Sequence, residues 1–164
     1  LIDYLNVTEN MFLGRELTGP WWGGRRIKRA EQEVRAKDVM TKMRLENLSL
    51  SRPVGAMSGG QRQNIAIARS LLSKPKVVIL DEPTAALSHT AAERVSTLIR
   101  ALAEDGLGVL VISHEIHHFV VNSTDRIEVM RLGANVASFK SSEVTGEQIV
   151  NAMVGGNEAV NLAG

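Results

Sequence analysis

Hydrophobic and polar residues alternate in two rhythms along this chain. From about Arg26 to Leu45 the residues Ile27, Ala30, Val34, Val39, Met40 and Met43 recur at roughly helical spacing, which predicts an amphipathic helix. A second helical pattern covers 59–73, through Ile65, Ile67, Ala68, Leu71 and Leu72, and stops ahead of Pro75. A third runs over about 89–104 through Ala92, Val95, Leu98, Ile99 and Leu102 and closes on Asp105-Gly106. Short unbroken apolar runs separate these helices. Lys76 to Leu80 and residues 108–112 have the β-branched content of strands buried on both faces. A short helix from Glu115 and two strands near 126–130 and 135–139 complete the pattern, and Gly155 to Gly164 reads as a frayed tail.

Strand and helix alternate after Ser58, which argues for an α/β fold: a mostly parallel sheet with helices on its faces. Residues 1–57 are different in character. They hold both Trp, the one Tyr and a glycine-rich break at 19–24, and Pro53 and Gly55 end them with turn chemistry. The expected organisation is a helical subdomain over 1–57, an α/β part over 58–155 and a tail over 156–164.

Composition narrows the function classes. The 164 residues are 44% apolar and 23% charged, as in a globular domain rather than a disordered chain. Nineteen Lys and Arg against eighteen Asp and Glu leave a net charge of +1, so long-range attraction to nucleic acid is not a theme. Six basic residues between Arg25 and Lys37 face only Glu31 and Glu33; they form either a docking surface or a solvated helix face. A nucleic-acid site built on that helix and the aromatics lacks both the charge and the spacing of a stacking platform. With no cysteine there is neither a disulfide framework nor a thiolate metal site. The longest apolar runs are too short to span a bilayer.

Three short segments carry chemistry. Val77-Val78-Ile79-Leu80-Asp81-Glu82 delivers two carboxylates at the C-terminal end of a strand, where open α/β sheets bind ligands. Asp81 suits Mg²⁺, which combines carboxylate oxygens with water and phosphate, and Glu82 suits a general base that polarises water. Ser58-Gly59-Gly60-Gln61 opens a helix with an N-cap serine and two glycines, leaving backbone N–H groups at the positive end of the helix dipole for a phosphate. His114 follows the strand 108–112 and falls on the same sheet edge as Asp81 and Glu82, where it can contact a terminal phosphate or orient water. His117 and His118 raise the alternative of a histidine metal cluster, against which stands the absence of cysteine and of an H-E-x-x-H pattern.

In this order and spacing the segments resemble the nucleotide-binding domain of ATP-binding cassette (ABC) transporters. Ser58-Gly59-Gly60-Gln61 is similar to the family signature, Val77 to Asp81 to the Walker B strand, Glu82 to the catalytic carboxylate and His114 to the switch histidine. The stretch from Asn6 to Glu16 and Thr84-Ala85-Ala86-Leu87 look like the importers of monosaccharides. The resemblance implies a P-loop NTPase-like fold with ATP and Mg²⁺ as cofactors, and a head-to-tail dimer with a second ATPase subunit. Ser58, Gly59, Gly60 and Gln61 would then reach a nucleotide held by the partner, while Asp81 assists Mg²⁺ and Glu82 and His114 act in catalysis. It also implies membrane permease subunits, a sugar-binding protein acting indirectly, no nucleic acid, and a peripheral place on the cytoplasmic face of the membrane.

Two family elements are absent from the 164 residues. No G-x-x-x-x-G-K-S/T occurs: the glycine pairs 14/19, 19/24 and 55/60 are followed by Pro-Trp, Arg-Arg and Gln-Arg. Gln32, Gln61, Gln63 and Gln148 are out of place for the Q-loop glutamine. With Leu rather than Met at position 1, the expectation is the C-terminal part of a cassette, inactive by itself, prone to aggregate, and working as part of a monosaccharide-importing ATPase. The alternative is a truncated, non-catalytic partner of a complete subunit. Ser88 stands where the family usually has the aspartate of its D-loop.

Overall fold

The computed structural model describes residues 1–20, 22 and 26–155, with only the backbone of His117 and His118. Trp21, Gly23, Gly24 and Arg25 of the glycine-rich break and basic cluster, and the tail 156–164, lie outside the described residues.

Helix α1 (Val7–Phe12) opens on a reciprocal cap in which Asn6 Oδ1 accepts from Glu9 N at 2.9 Å and Asn6 N donates to Glu9 Oε2 at 3.0 Å. Helix α2 (Arg29–Lys42) is shorter at both ends than the apolar pattern predicts. Ile27 is held extended by a bridge to Thr18, and Arg44 leaves the helix at a φ of 56°. Its buried face is Gln32, Ala36 and Met40, so the expected stripe is corrected: Ile27 and Val34 face solvent. An amide at position 32 breaks the hydrophobic rhythm from which that stripe was read. On the charged face Glu31 pairs with Lys28 at 3.1 Å and Arg35 at 2.8 Å.

Helix α3 (Gly59–Leu71) and helix α4 (His89–Glu104) match their sequence patterns closely, and Gly106 takes a φ of 90° just past α4. Between and after them come β1 (Val77–Asp81) and β2 (Gly108–Ile112), which pair in parallel from Val77 opposite Gly108 to Asp81 opposite Ile112. The short helix near Glu115 is a π-helix (Ile116–Val120) running into α5 (Val121–Ser123). Strands β3 (Arg126–Arg131) and β4 (Ala134–Lys140) form an antiparallel hairpin. Its two-residue turn, Leu132-Gly133, has φ of 49° and 80°, the mirror-image turn that suits the twist of paired strands. Helix α6 (Gly146–Val154) is capped by Thr145 and Gln148 and ends on Gly155.

The fold is thus α/β as expected, with the described strands in two pairs, one parallel and one antiparallel. One expectation is corrected. Strand β1 is buried on one face only and β2 is half-buried on one face: Val78 and Leu80 are inside and Val109 and Val111 partly so, whereas Ile79 and Leu110 are 65% and 55% exposed and Val77 and Ile112 also face solvent. Alternation of side chains across a strand explains the split, because α4 packs on β2 and the described chain puts nothing on the opposite face. One continuous core joins Met11 of α1, Met40 of α2, Ile65 and Ile67 of α3, Val95 of α4, Phe119 and Ile149.

Candidate functional site

The parallel register sets Asp81 beside Ile112 and brings the chain after both strands to one edge. Glu82 N donates to Ile112 O at 2.8 Å, which extends the pairing by one residue. There the backbone of Glu82 turns into the left-handed region, with a φ of 46°. For a residue with a Cβ this conformation costs about 1–2 kcal/mol, and it swings the carboxylate toward the end of β2. His114, two residues beyond β2, meets it. His114 Nδ1 lies 2.7 Å from Glu82 Oε1, a charge-assisted contact in which the ring donates. Ser113 Oγ accepts from Glu115 N at 3.1 Å and fixes the turn behind the histidine.

The second carboxylate oxygen, Glu82 Oε2, is buried and has no hydrogen-bond partner. The hydroxyl of Thr84, a fully buried residue two positions on, is also unpartnered. Buried polar atoms are normally satisfied, so these two mark a place where a further polar group belongs. Thr84 stood out in the sequence only as part of Thr84-Ala85-Ala86-Leu87, and its burial shows only in the fold. Asp81 is exposed at the end of β1. Among the described residues no group of three or more His, Asp or Glu could hold a metal ion unaided. The donor set therefore fits Mg²⁺ only as one carboxylate completed by water and phosphate oxygens, which is the usual manner for that ion with nucleotides.

The glycine turn opens α3. Ser58 Oγ accepts from Gln61 N at 3.3 Å and Ser58 N donates to Gln61 Oε1 at 3.1 Å, a reciprocal cap like that of α1. Both side chains are engaged in this cap. The first-turn N–H groups of Gly59 and Gly60 have no intrahelical acceptor by position. At Gly60 packing also favours glycine, since a Cβ there would lie 3.1 Å from Ala91 Cβ, whereas one on Gly59 would make an ordinary contact 3.4 Å from Leu87 Cδ2. Hence α3 starts against the loop and first turn of α4, where Ser88 takes the N-cap position without a side-chain capping bond. Among the described residues no hydrogen bond or ion pair joins Ser58 to Gln61 with Asp81, Glu82 or His114. The structure brings Glu82 and His114 into contact, with Asp81 next to Glu82 at the end of β1, and gives the glycine turn no bonded contact to them.

The Glu82 carboxylate, through its hydrogen bond and its opposite charge, pushes the His114 ring above its ordinary value of 6.5. A raised histidine value means that the pair's stabilising contribution is complete below about pH 6.5 and disappears as pH climbs through the shifted value. We expect a proton NMR titration of His114 to have its midpoint above that of a free imidazole, and Glu82→Gln to return it toward the free value. Identical midpoints in the two proteins would show that the pair does not form.

Residues 1–85 match the ABC transporter family. The chain belongs to that family. It is 37% identical over 158 residues to the fructose import ATP-binding protein FrcA of Rhizobium meliloti, covering 94% of this chain and 60% of that protein. It is 34% identical over 162 residues to the xylose import ATP-binding protein XylG of Brucella abortus, covering 99% of this chain and 30% of that protein. Among solved structures it resembles a nucleotide-free ATP-binding cassette from an ABC transporter, with a TM-score of 0.73 at 25% identity over 97% of this chain and 62% of that one. The cassette chain therefore spans less than two thirds of the length of these relatives. No helix among the described residues is long and apolar enough to cross a membrane.

Proposed function

We propose that this chain is the signature-bearing part of the ATP-binding subunit of a monosaccharide importer, with residues 1–57 as its helical unit and 58–155 as part of its ATPase core. The observation that carries the reading is the 2.7 Å pairing of Glu82 with His114 just beyond the C-terminal ends of β1 and β2. Relatives named for fructose and xylose import support the monosaccharide class, while two different sugars at similar identity single out neither.

In this reading Glu82 accepts the proton of the attacking water at its carboxylate, and its left-handed backbone aims it there. His114 holds Glu82 in place and contributes a donor toward a terminal phosphate. Asp81 would help to hold Mg²⁺, which would supply neutralisation of phosphate charge. The amides of Gly59 and Gly60, without intrahelical acceptors, would donate to a phosphate bound by a second ATPase subunit in a head-to-tail dimer. Gln61 acts through the cap rather than through its own contact. The assembly would sit on the cytoplasmic face of the membrane, against permease subunits supplied by a sugar-binding protein.

The 164 residues contain no loop whose amides and lysine cradle a triphosphate. The purified 164-residue chain is accordingly expected to show no ATP turnover above background. In membrane vesicles holding the assembled transporter, labelled monosaccharide is expected to accumulate with ATP. Glu82-dependent hydrolysis by the chain alone would overturn the reading of these residues as one part of a cassette. ATP hydrolysis by the assembly without uptake of any monosaccharide tested would overturn the substrate class.

A further inference from the structure

The loop ahead of α1 grips the start of the signature helix at both ends of the glycine turn. Residues 2–6 wrap around Asn10, which is fully buried. Its Oδ1 accepts from Ile2 N at 2.7 Å, and the two N–H groups on its Nδ2 are shared among Ile2 O at 2.9 Å and Leu5 O and Asn6 O at 3.1 Å each. These contacts to one buried amide tie the loop into a block.

Upstream of Ser58, the block accepts two backbone bonds: Val54 N to Leu5 O at 3.0 Å and Gly55 N to Asp3 O at 2.8 Å. Gly55 approaches so closely that a Cβ there would lie 3.0 Å from both the Cβ and the carbonyl oxygen of Asp3. Downstream of Ser58, Arg62 Nη1 meets Asp3 Oδ1 at 2.7 Å. Asp3 thus holds the approach to the turn with its backbone and the first turn of α3 with its side chain. Ser58, Gly59 and Gly60 lie between the two anchors.

We propose that Asp3 and Arg62 are positioning residues that set the direction of the Gly59 and Gly60 amides, a role that rests on the reading of this turn as a phosphate contact. The pair is well solvated, with side chains 66% and 35% exposed, and an ion pair so placed adds little to stability. What it does is fix the rotation of the helix start about Ser58. A helix start that is misaimed keeps its fold and loses its aim at the phosphate.

The test is a charge exchange in the assembled transporter. Asp3→Arg and Arg62→Asp each lower kcat roughly tenfold or more with KM for ATP unchanged, because small misplacements weaken contacts made in the transition state. The double exchange restores kcat to within about threefold of the starting protein, the mark of a direct coupling. In parallel, hydrogen exchange at the Gln61 and Arg62 amides speeds up in each single variant and returns in the double. Single variants with unchanged exchange and turnover overturn the proposal. So does a double variant no better than the worse single. Ser58→Arg separates the two ideas. If it leaves turnover intact, the phosphate reading fails and amide exchange alone decides the clamp. If it abolishes turnover while the exchange pair fails to rescue, the clamp alone is wrong.

Discussion

Glu82→Gln is expected to lower single-turnover ATP hydrolysis by the assembled transporter about 10²–10⁴-fold while nucleotide still binds, the range for loss of a positioned general base. The substitution keeps the shape and hydrogen-bonding reach of the side chain and removes its ability to take a proton. It also removes the charge that holds His114 at 2.7 Å. The two losses differ in size. His114 is 71% exposed and rotates freely once released, so His114→Ala is expected to retain more activity than Glu82→Gln. Rapid-quench measurement of bound ATP cleavage, set beside equilibrium nucleotide binding, distinguishes chemistry from affinity. Turnover within a few-fold of the starting protein would remove Glu82 from the role of base and leave it a partner of His114.

Asn10→Ala is expected to destabilise the fold by about 2–4 kcal/mol, because several buried backbone groups lose their partner at once. Asn10 accepts one hydrogen bond and shares its two amide N–H groups among three carbonyl oxygens, all on the backbone of residues 2–6. Asn10→Asp is nearly as damaging. Its carboxylate would face the carbonyl oxygens of Ile2, Leu5 and Asn6 with no N–H to offer them. Urea titration followed by circular dichroism measures both variants, and a midpoint change equivalent to less than about 0.5 kcal/mol, typical of surface sites, would contradict the role described for this amide.

The order of elements was largely legible from hydrophobic rhythm, since α3, α4, β2 and the β3–β4 hairpin fall within a few residues of their patterns. Rhythm failed where a polar residue takes a core position. Gln32 is buried on α2 and Val34 is not, a choice made by neighbouring helices rather than by local spacing. The carboxylates and His114 could be named from their places after strands, but not their contact. That contact depends on the parallel register and on the left-handed turn at Glu82, and neither is written in a side-chain pattern. The clamp through Asp3 was invisible for a similar reason: Asp3 and Arg62 are distant in sequence and become neighbours only after residues 2–6 fold around Asn10.

The left-handed backbone at Glu82 bears on how the position tolerates change. Glycine would adopt a φ of 46° without steric penalty, so replacing the carboxylate by hydrogen relieves local strain. Branched residues such as Val or Ile would meet the opposite pressure. Random substitution at this codon is therefore biased: changes that delete the chemistry can be comfortable for the fold, and thermal stability offers no protection against them. A glutamate persists in so awkward a place only while something rewards its carboxylate. Once such a chain is released from that demand, this position is one where decay of function and gain in stability coincide.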